Sequence, residues 1–299
     1  MEMQAEWIAV DWGTSRLRAW AMEGDRVVAE AHSDKGMSHL ETDEFEATLL
    51  TLIEGWLGST PMDVIACGMV GARQGWAEAP YSAIPAPPLP KAPVRVINTG
   101  ARLRVSIVPG LKQIKPADVM RGEETQIAGF LARNENWDGV VCLPGTHTKW
   151  AHVSANEVVS FQTFMTGELF ELLATSSVLR HSVQDGWDNA AFVEGMHAVL
   201  SRPETLASKL FGIRAGDLLE GSGGAAARAN LSGILIGAEL GAARPYWLGQ
   251  RVAIIGAKTI THIYADALKS QGVPVSVEDG RDMTVSGLVA ARNLMEAFA

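Results

Sequence analysis

The chain has 299 residues, 47% of them hydrophobic, enough for a substantial core in two domains or one large one. With 25 Lys and Arg against 34 Asp and Glu, its net charge of −9 disfavours a broad electrostatic grip on nucleic acid or an anionic membrane, but leaves room for a small ligand held by local positive groups. The cysteines, Cys67 and Cys142, are too few for a disulfide framework or a CxxC metal or redox box and fit a reducing compartment.

The opening MEMQAEW lacks the basic and apolar regions of a leader, and no apolar run approaches the ~18 residues of a membrane span, so a cytoplasmic protein is expected. In chain order, WIAVDW (7–12), LRAWAM and RVVAEA read as three successive antiparallel strands, broken by Gly13-Thr14-Ser15 and Glu23-Gly24-Asp25. Phe45, Leu49, Leu50, Leu52, Ile53 and Trp56 recur at helical spacing behind Thr42, a candidate N-cap, and VIACGMV (64–70) returns to strand. Six prolines in 80–93 predict an extended surface loop, bordering a cleft or serving as a plain connector. VRVINTG and VSIVPG read as strands, a helix opens near RGEETQIAGFLAR, and Gly139 to Leu143 is again strand. Residues 166–244 are almost wholly helical by apolar spacing; strand 251–256, helix 259–270, strand 273–278 and helix 284–298 complete an α/β chain.

An internal repeat organises these elements. Setting Gly13-Thr14 on Gly145-Thr146, an ungapped offset of 132, superimposes VDWGTSRLRAWAMEGDRVVAE on CLPGTHTKWAHVSANEVVSF. Both read strand, Gly-Thr turn, alternating strand, polar turn, strand, which predicts two duplicated domains each offering a hairpin to a shared cleft.

An Asp-x-Gly-Thr-Ser turn after a buried strand can surround a phosphate with N–H groups and hydroxyls while its carboxylate orients magnesium through water; an ordinary tight turn capped by Asp11 uses the same residues. The second turn, PGTHTKW, has Leu143 in place of Asp11, so it cradles phosphate without a second negative charge; His147 and Lys149 add positive charge there or face solvent. Glu123 and Glu124 open a helix whose dipole favours ionised carboxylates, placing a group able to take a proton from a sugar hydroxyl, or simply ordinary helix-start chemistry. In GMVGARQGW (68–76), Arg73 and Gln74 could bind a carboxylate and hydroxyls while Trp76 covers a sugar face, unless Arg73 is merely a solvated loop residue. Gly256-Ala257 could admit a purine or only turn strand into helix. P-loop, HExxH, zinc-finger and GxSxG signatures are lacking, and GSGGAA (221–226) follows no strand as a dinucleotide fingerprint would.

DWGTSRLRAW, GMVGARQGWAEAPY, DVMRGEETQIAGF, LPGTHTKW and FMTGELFELL, in that order along nearly the whole chain, resemble the 2-keto-3-deoxygalactonate kinase family of the sugar kinase, actin and Hsp70 superfold. The resemblance implies two ribonuclease-H-like domains around a central cleft, the actin-like ATPase fold. Residues 1–117 would hold the first hairpin and sugar loop, and 118–299 the second hairpin and adenosine region, with the last helix free to pack back on the first domain. It implies transfer of the ATP γ-phosphoryl group to the 6-hydroxyl of 2-dehydro-3-deoxy-D-galactonate, with Mg2+ as companion ion, in galactonate catabolism. Asp11 and Glu123 would be catalytic, Asp11 also holding magnesium. Gly13, Thr14, Ser15, Gly145, Thr146, Thr148, Lys149, Gly256 and Ala257 would bind the nucleotide. Gly71, Arg73, Gln74, Trp76 and Arg121 would bind the acid sugar. The chain departs from the superfold in having Glu123, beside Glu124, where related kinases place Asp, and Gly256-Ala257 for paired glycines. A kinase for another acid sugar such as 2-keto-3-deoxygluconate, or a non-catalytic ATP-binding scaffold or sugar sensor, is the alternative; nucleic acid and membrane are not expected partners, and a homodimer is left open.

Overall fold

The computed structural model describes residues 5–221 and 223–297, and the chain divides into two units, Met1–Asp138 with Val153–Ser160 and Asp279–Ala299, and Gly139–His152 with Phe161–Glu278. In the first unit, β1 (Trp7–Trp12) and β2 (Leu17–Glu23) pair antiparallel with Val10 opposite Ala19, and β3 (Arg26–Ser33) pairs antiparallel with β2. α1 (Phe45–Ile53) buries Phe45, Leu49 and Ile53, one stripe at four-residue spacing. It starts after Glu44 with no side-chain cap, so Thr42 does not cap it.

The chain continues through β4 (Met62–Cys67), β5 (Ser82–Ala83), β6 (Val94–Arg95), β7 (Leu103–Ile107), β8 (Leu111–Gln113), β9 (Asp118–Met120) and α2 (Glu123–Arg133). The main sheet runs β3-β2-β1-β4-β7-β6, with β1, β4 and β7 parallel neighbours. β1 is apolar almost throughout because strands flank it on both sides and both sheet faces are covered. Ile8, Val10 and Leu17 pack with α1 on one face; Trp7, Ala9 and Ile65 pack on the other with Val285 and Leu288 of α9 (Gly280–Ala297). The proline-rich stretch carries β5, which pairs with β8, and Ala86, which bridges Val158.

The second unit is built on β10 (Gly139–Leu143), β11 (Thr148–Ser154) and β12 (Glu157–Phe164), followed by α3 (Thr166–Ser176), α4 (Asn189–Leu200), α5 (Leu206–Glu220), α6 (Gly224–Ala242), the one-turn α7 (Arg244–Trp247), β13 (Val252–Gly256), α8 (Lys258–Ser270) and β14 (Val275–Asp279). Its sheet order, β12-β11-β10-β13-β14, repeats the first sheet's arrangement of a meander beside a parallel strand. The offset of 132 carries β1, β2 and β3 onto β10, β11 and β12 to within one residue at every end.

The division expected between 117 and 118 falls instead at 138. α2 stays with the first unit because it packs along α9: Gln126 Nε2 donates to Thr284 Oγ1 at 3.1 Å and Arg133 Nε to Ser286 Oγ at 2.9 Å. The hairpin tip 153–160 is grouped there too, through the Ala86 bridge. Among the described residues no helix is long and apolar enough to cross a membrane.

Candidate active site

In the first unit the carboxyl ends of two parallel strands, where an open α/β sheet collects ligands, meet the start of α2. Asp11 lies on β1 opposite Arg18 of β2 and beside Cys67, the last residue of β4. Arg18 Nη2 stands 3.0 Å from Asp11 Oδ2, with 15% of the Asp11 side chain exposed. Burial pushes the Asp11 carboxyl above its ordinary value, Arg18 pulls it back, and nearby Glu123 pushes it up again. Two glycines permit this convergence: Gly68 at φ +94° and Gly122 at φ +106° take left-handed conformations, and a Cβ on Gly122 would lie 3.3 Å from the Gly68 Cα.

The adjacent glutamates at the α2 start have different surroundings. Glu124 is wholly buried; its carboxyl accepts from the Gly122 N–H at 2.8 and 2.9 Å and from Thr125 Oγ1 at 3.0 Å. Burial, with Glu123 alongside, raises its pKa to about 8, leaving it mostly protonated at neutral pH. Glu123 is half-buried and accepts from the Arg121 N–H at 3.0 Å. Only Glu123 of this pair reaches solvent, so it alone can meet a substrate hydroxyl.

Arg121 is buried. Its Nη2 donates to the Ala79 carbonyl at 2.7 Å, its Nε to Tyr81 Oη at 3.3 Å, and its guanidinium carbon sits 4.3 Å from the Tyr81 ring centroid. Nη1, against Gly71, has no hydrogen-bond partner among the described residues. Arg121 thus ties the stretch after GMVGARQGW to the α2 start, with donor capacity unspent.

In the second unit, Gly145, Thr146 and His147 form an exposed turn between β10 and β11. Glu168 braces it: its N–H donates to the Thr146 carbonyl at 3.0 Å and its carboxylate lies 2.6 Å from His147 Nε2. Beside the turn is a cavity of about 550 Å3, lined by Gly145, Thr166, Trp187, Leu235, Ala257, Ile260 and Tyr264 among others, with Arg228, Ser232 and Thr259 adding polar side chains. Its size and largely apolar walls suit a nucleoside. Among the described residues no group of three or more His, Cys, Asp or Glu side chains could hold a metal ion alone. Magnesium needs no such cage, since it binds through one or two carboxylates with waters and substrate phosphates; the partly exposed Asp11 carboxylate fits that pattern.

Of the expected site residues, Asp11, Gly71, Arg121 and Glu123 lie around one place in the first unit, and Arg73 and Gln74 are exposed nearby in its loop. Gly13, Thr14 and Ser15 form the partly exposed first turn; Gly145 and Ala257 line the cavity, and Gly256 adjoins Ala257. Three side chains are placed otherwise than a direct ligand role requires. Trp76 is a core residue, stacked on Phe45 at 6.2 Å and edge-on to Trp12 at 6.1 Å, so it is no open platform for a sugar. The Thr148 hydroxyl turns inward to Tyr264 Oη at 3.2 Å, and Lys149 is buried with Nζ 3.5 Å from the His147 carbonyl, because alternation along β11 points both inward where the strand is covered on two faces. Sequence reasoning missed Arg18, although counting outward from the hairpin turn pairs it with Asp11. It also missed Tyr81, whose block was read only for its glycines, Arg73, Gln74 and Trp76, and Trp187, Arg228 and Glu239, which carry no local motif.

Two sheets of like topology, each with a Gly-Thr turn after its first strand, with a half-buried aspartate on one and a nucleoside-sized cavity beside the other, define an actin-like ATPase fold of the sugar kinase kind. A full-length structural match to component A of (R)-2-hydroxyglutaryl-CoA dehydratase from Acidaminococcus fermentans, covering 97% of this chain and 98% of that one at TM-score 0.54 and 13% identity, shows the same fold. The profile of the 2-keto-3-deoxy-galactonokinase family matches residues 11–291, and the chain belongs to that family. It is 39% identical over 295 residues to a probable 2-dehydro-3-deoxygalactonokinase of Rhizobium meliloti (strain 1021), covering 95% of each, and 33% identical over 302 residues to the 2-dehydro-3-deoxygalactonokinase of Escherichia coli (strain K12), covering 99% of this chain and 100% of that one. A Sinorhizobium meliloti structure of the same family superposes at TM-score 0.87 with 37% identity, covering 97% of this chain and 99% of that one. The protein is therefore a carbohydrate kinase, whose family reaction is ATP-dependent phosphorylation of 2-keto-3-deoxygalactonate.

Proposed function

We propose that this kinase transfers the γ-phosphoryl group of ATP to the 6-hydroxyl of 2-dehydro-3-deoxy-D-galactonate, with Glu123 as general base and Asp11 as the magnesium-side carboxylate. The observation that carries the assignment is the meeting of Asp11, Glu123 and Arg121 at the strand ends of the first unit, in a chain that matches its family from end to end. Glu123 accepts the hydroxyl proton as the acceptor oxygen attacks phosphorus and ADP leaves. Glu124, protonated and pinned to the Gly122 N–H, is not a competing base. Arg73, exposed on its loop, binds the acid-sugar carboxylate, and buried Arg121 supports that loop by holding Ala79 and Tyr81 against the α2 start. The first turn holds phosphate oxygens through the Thr14 and Ser15 N–H groups and hydroxyls, the Gly13 N–H being used on the Arg16 carbonyl, the second turn does so through Gly145 and Thr146, and the cavity takes the adenosine. Magnesium, when bound, neutralises phosphate charge as it transfers. Alignment and charge neutralisation provide most of the rate in such a loose transition state, so Asp11 matters to turnover more than to sugar affinity.

Product analysis tests the reading. Phosphorus-coupled carbon NMR of the reaction mixture is expected to place the new phosphate on C6. Phosphate on another carbon, or ATP hydrolysis without a sugar phosphate, would overturn the assignment.

A further inference from the structure

Glu239 is a buried carboxylate in the last turn of α6, 3% exposed, outside the phosphate turns and the acid-sugar residues. Three donors converge on it from three other elements. Trp150 Nε1 of β11 donates to Oε1 at 2.8 Å, Tyr264 Oη of α8 donates to Oε2 at 2.9 Å, and Thr166 Oγ1 at the start of α3 donates to Oε2. Thr148 Oγ1 joins through Tyr264, at 3.2 Å. A buried carboxylate is costly unless it is so satisfied, and a bare packing role is served as well by leucine. Burial pushes its pKa up while Thr166, Trp150 and Tyr264 pull it down.

What Glu239 holds is specific. Thr166 and Tyr264 both line the cavity. Thr166 is followed by Gly167, which packs so closely on the turn that any side chain there would run into the Gly145 carbonyl, and by Glu168, whose N–H donates to the Thr146 carbonyl at 3.0 Å. One carboxylate therefore fixes a wall of the cavity through Tyr264 and the second phosphate turn through Thr166.

We infer that Glu239 is a positioning residue of the nucleotide site, holding the cavity wall and the phosphate turn in one geometry so that nucleoside and phosphates engage together. This rests on the nucleotide assignment made above. Loss of the tie is felt in nucleotide binding and not in acid-sugar binding, since Trp150, Thr166 and Tyr264 all lie in the second unit.

The test is isothermal titration of ADP together with separate KM values for ATP and the acid sugar, for wild type, E239L, E239Q, T166V and Y264F. Wild type that binds no ADP would sink the nucleotide reading itself. With wild type binding, E239L is expected to weaken ADP and raise the ATP KM about tenfold or more, and T166V and Y264F about threefold each, with the sugar KM within about twofold. E239Q keeps the shape, and the two hydroxyls can turn to accept from its amide, so it should recover part of the loss. Should E239L not fold, T166V and Y264F decide. Nucleotide parameters unmoved in the variants, or both substrates weakened equally alongside a fallen melting temperature, would overturn the inference while leaving the kinase reading intact.

Discussion

Arg18 and Asp11 face each other across the first hairpin, Nη2 to Oδ2 at 3.0 Å, so the carboxylate proposed to sit beside magnesium has a cationic register partner that favours its ionised form. Burial pushes the Asp11 pKa up and Arg18 offsets part of that rise. Replacing Arg18 with Met should therefore move the acid limb of the kcat pH profile upward, and Asp11→Asn should lower kcat by on the order of 100-fold while sugar affinity stays within about threefold. An Asp11→Asn enzyme with full kcat would remove the metal role, and an Arg18→Met profile superimposed on wild type would remove the tuning.

Glu123 and Glu124 should separate cleanly. Glu123→Gln is expected to reduce kcat by about 10²-fold to 10⁴-fold, the usual contribution of a general base, whereas Glu124→Gln should cost less than about tenfold. Equal losses in single-turnover measurements would contradict the assignment of the base.

The raised pKa of Glu124 has a stability consequence. An unfolded glutamate ionises near 4.5, whereas the folded one holds its proton to about 8, so across that window the folded state binds more protons. The stabilisation is fully present below the unfolded value and is lost as pH rises through the folded one. Urea midpoints should accordingly fall between pH 5 and pH 8, with a smaller slope in Glu124→Gln; parallel slopes would mean that Glu124 is ionised in the folded protein.

Arg121 combines a forked hydrogen-bond clamp with a ring contact, neither of which lysine reproduces. Arg121→Lys should lower stability by about 1–3 kcal/mol and raise the acid-sugar KM about tenfold, with the ATP KM little changed. A normal sugar KM would show that the Ala79 to Tyr81 segment held by Arg121 does not shape the sugar site.

Trp187 lines the cavity, is 42% exposed and has its ring centroid 5.3 Å from that of Phe192, and on the nucleotide reading proposed above it would stack against the purine. Base stacking on an aromatic side chain contributes about 1–3 kcal/mol, so Trp187→Ala should weaken ADP by about fivefold or more, with a smaller fluorescence change on titration. Unaltered ADP affinity would place the base against another wall.

The meander strands and the duplication were legible because a Gly-Thr turn flanked by apolar strands is a local signal, and an ungapped offset of 132 repeats it. Asp11, Gly145 and the Glu123 helix start could be read for the same reason. VRVINTG, read as a full strand, contributes only Val94–Arg95, and the short β5, β8 and β9 escaped because two- and three-residue pairings are set by neighbours and not by alternation. Trp76, Thr148 and Lys149 looked like ligands because each is polar or aromatic beside a turn; their inward direction depends on what covers the strand or loop. Glu239 meets its donors across 89, 73 and 25 residues of sequence, a separation that no local pattern encodes.

The central claim is tested most directly by ADP release, coupled to a reporter enzyme, with magnesium-ATP and 2-dehydro-3-deoxy-D-galactonate, beside its gluconate epimer and a control without sugar. The account predicts turnover dependent on sugar, with kcat/KM for the galactonate form well above that for the epimer. Folded protein that turns over neither sugar, or that prefers the epimer, would contradict it.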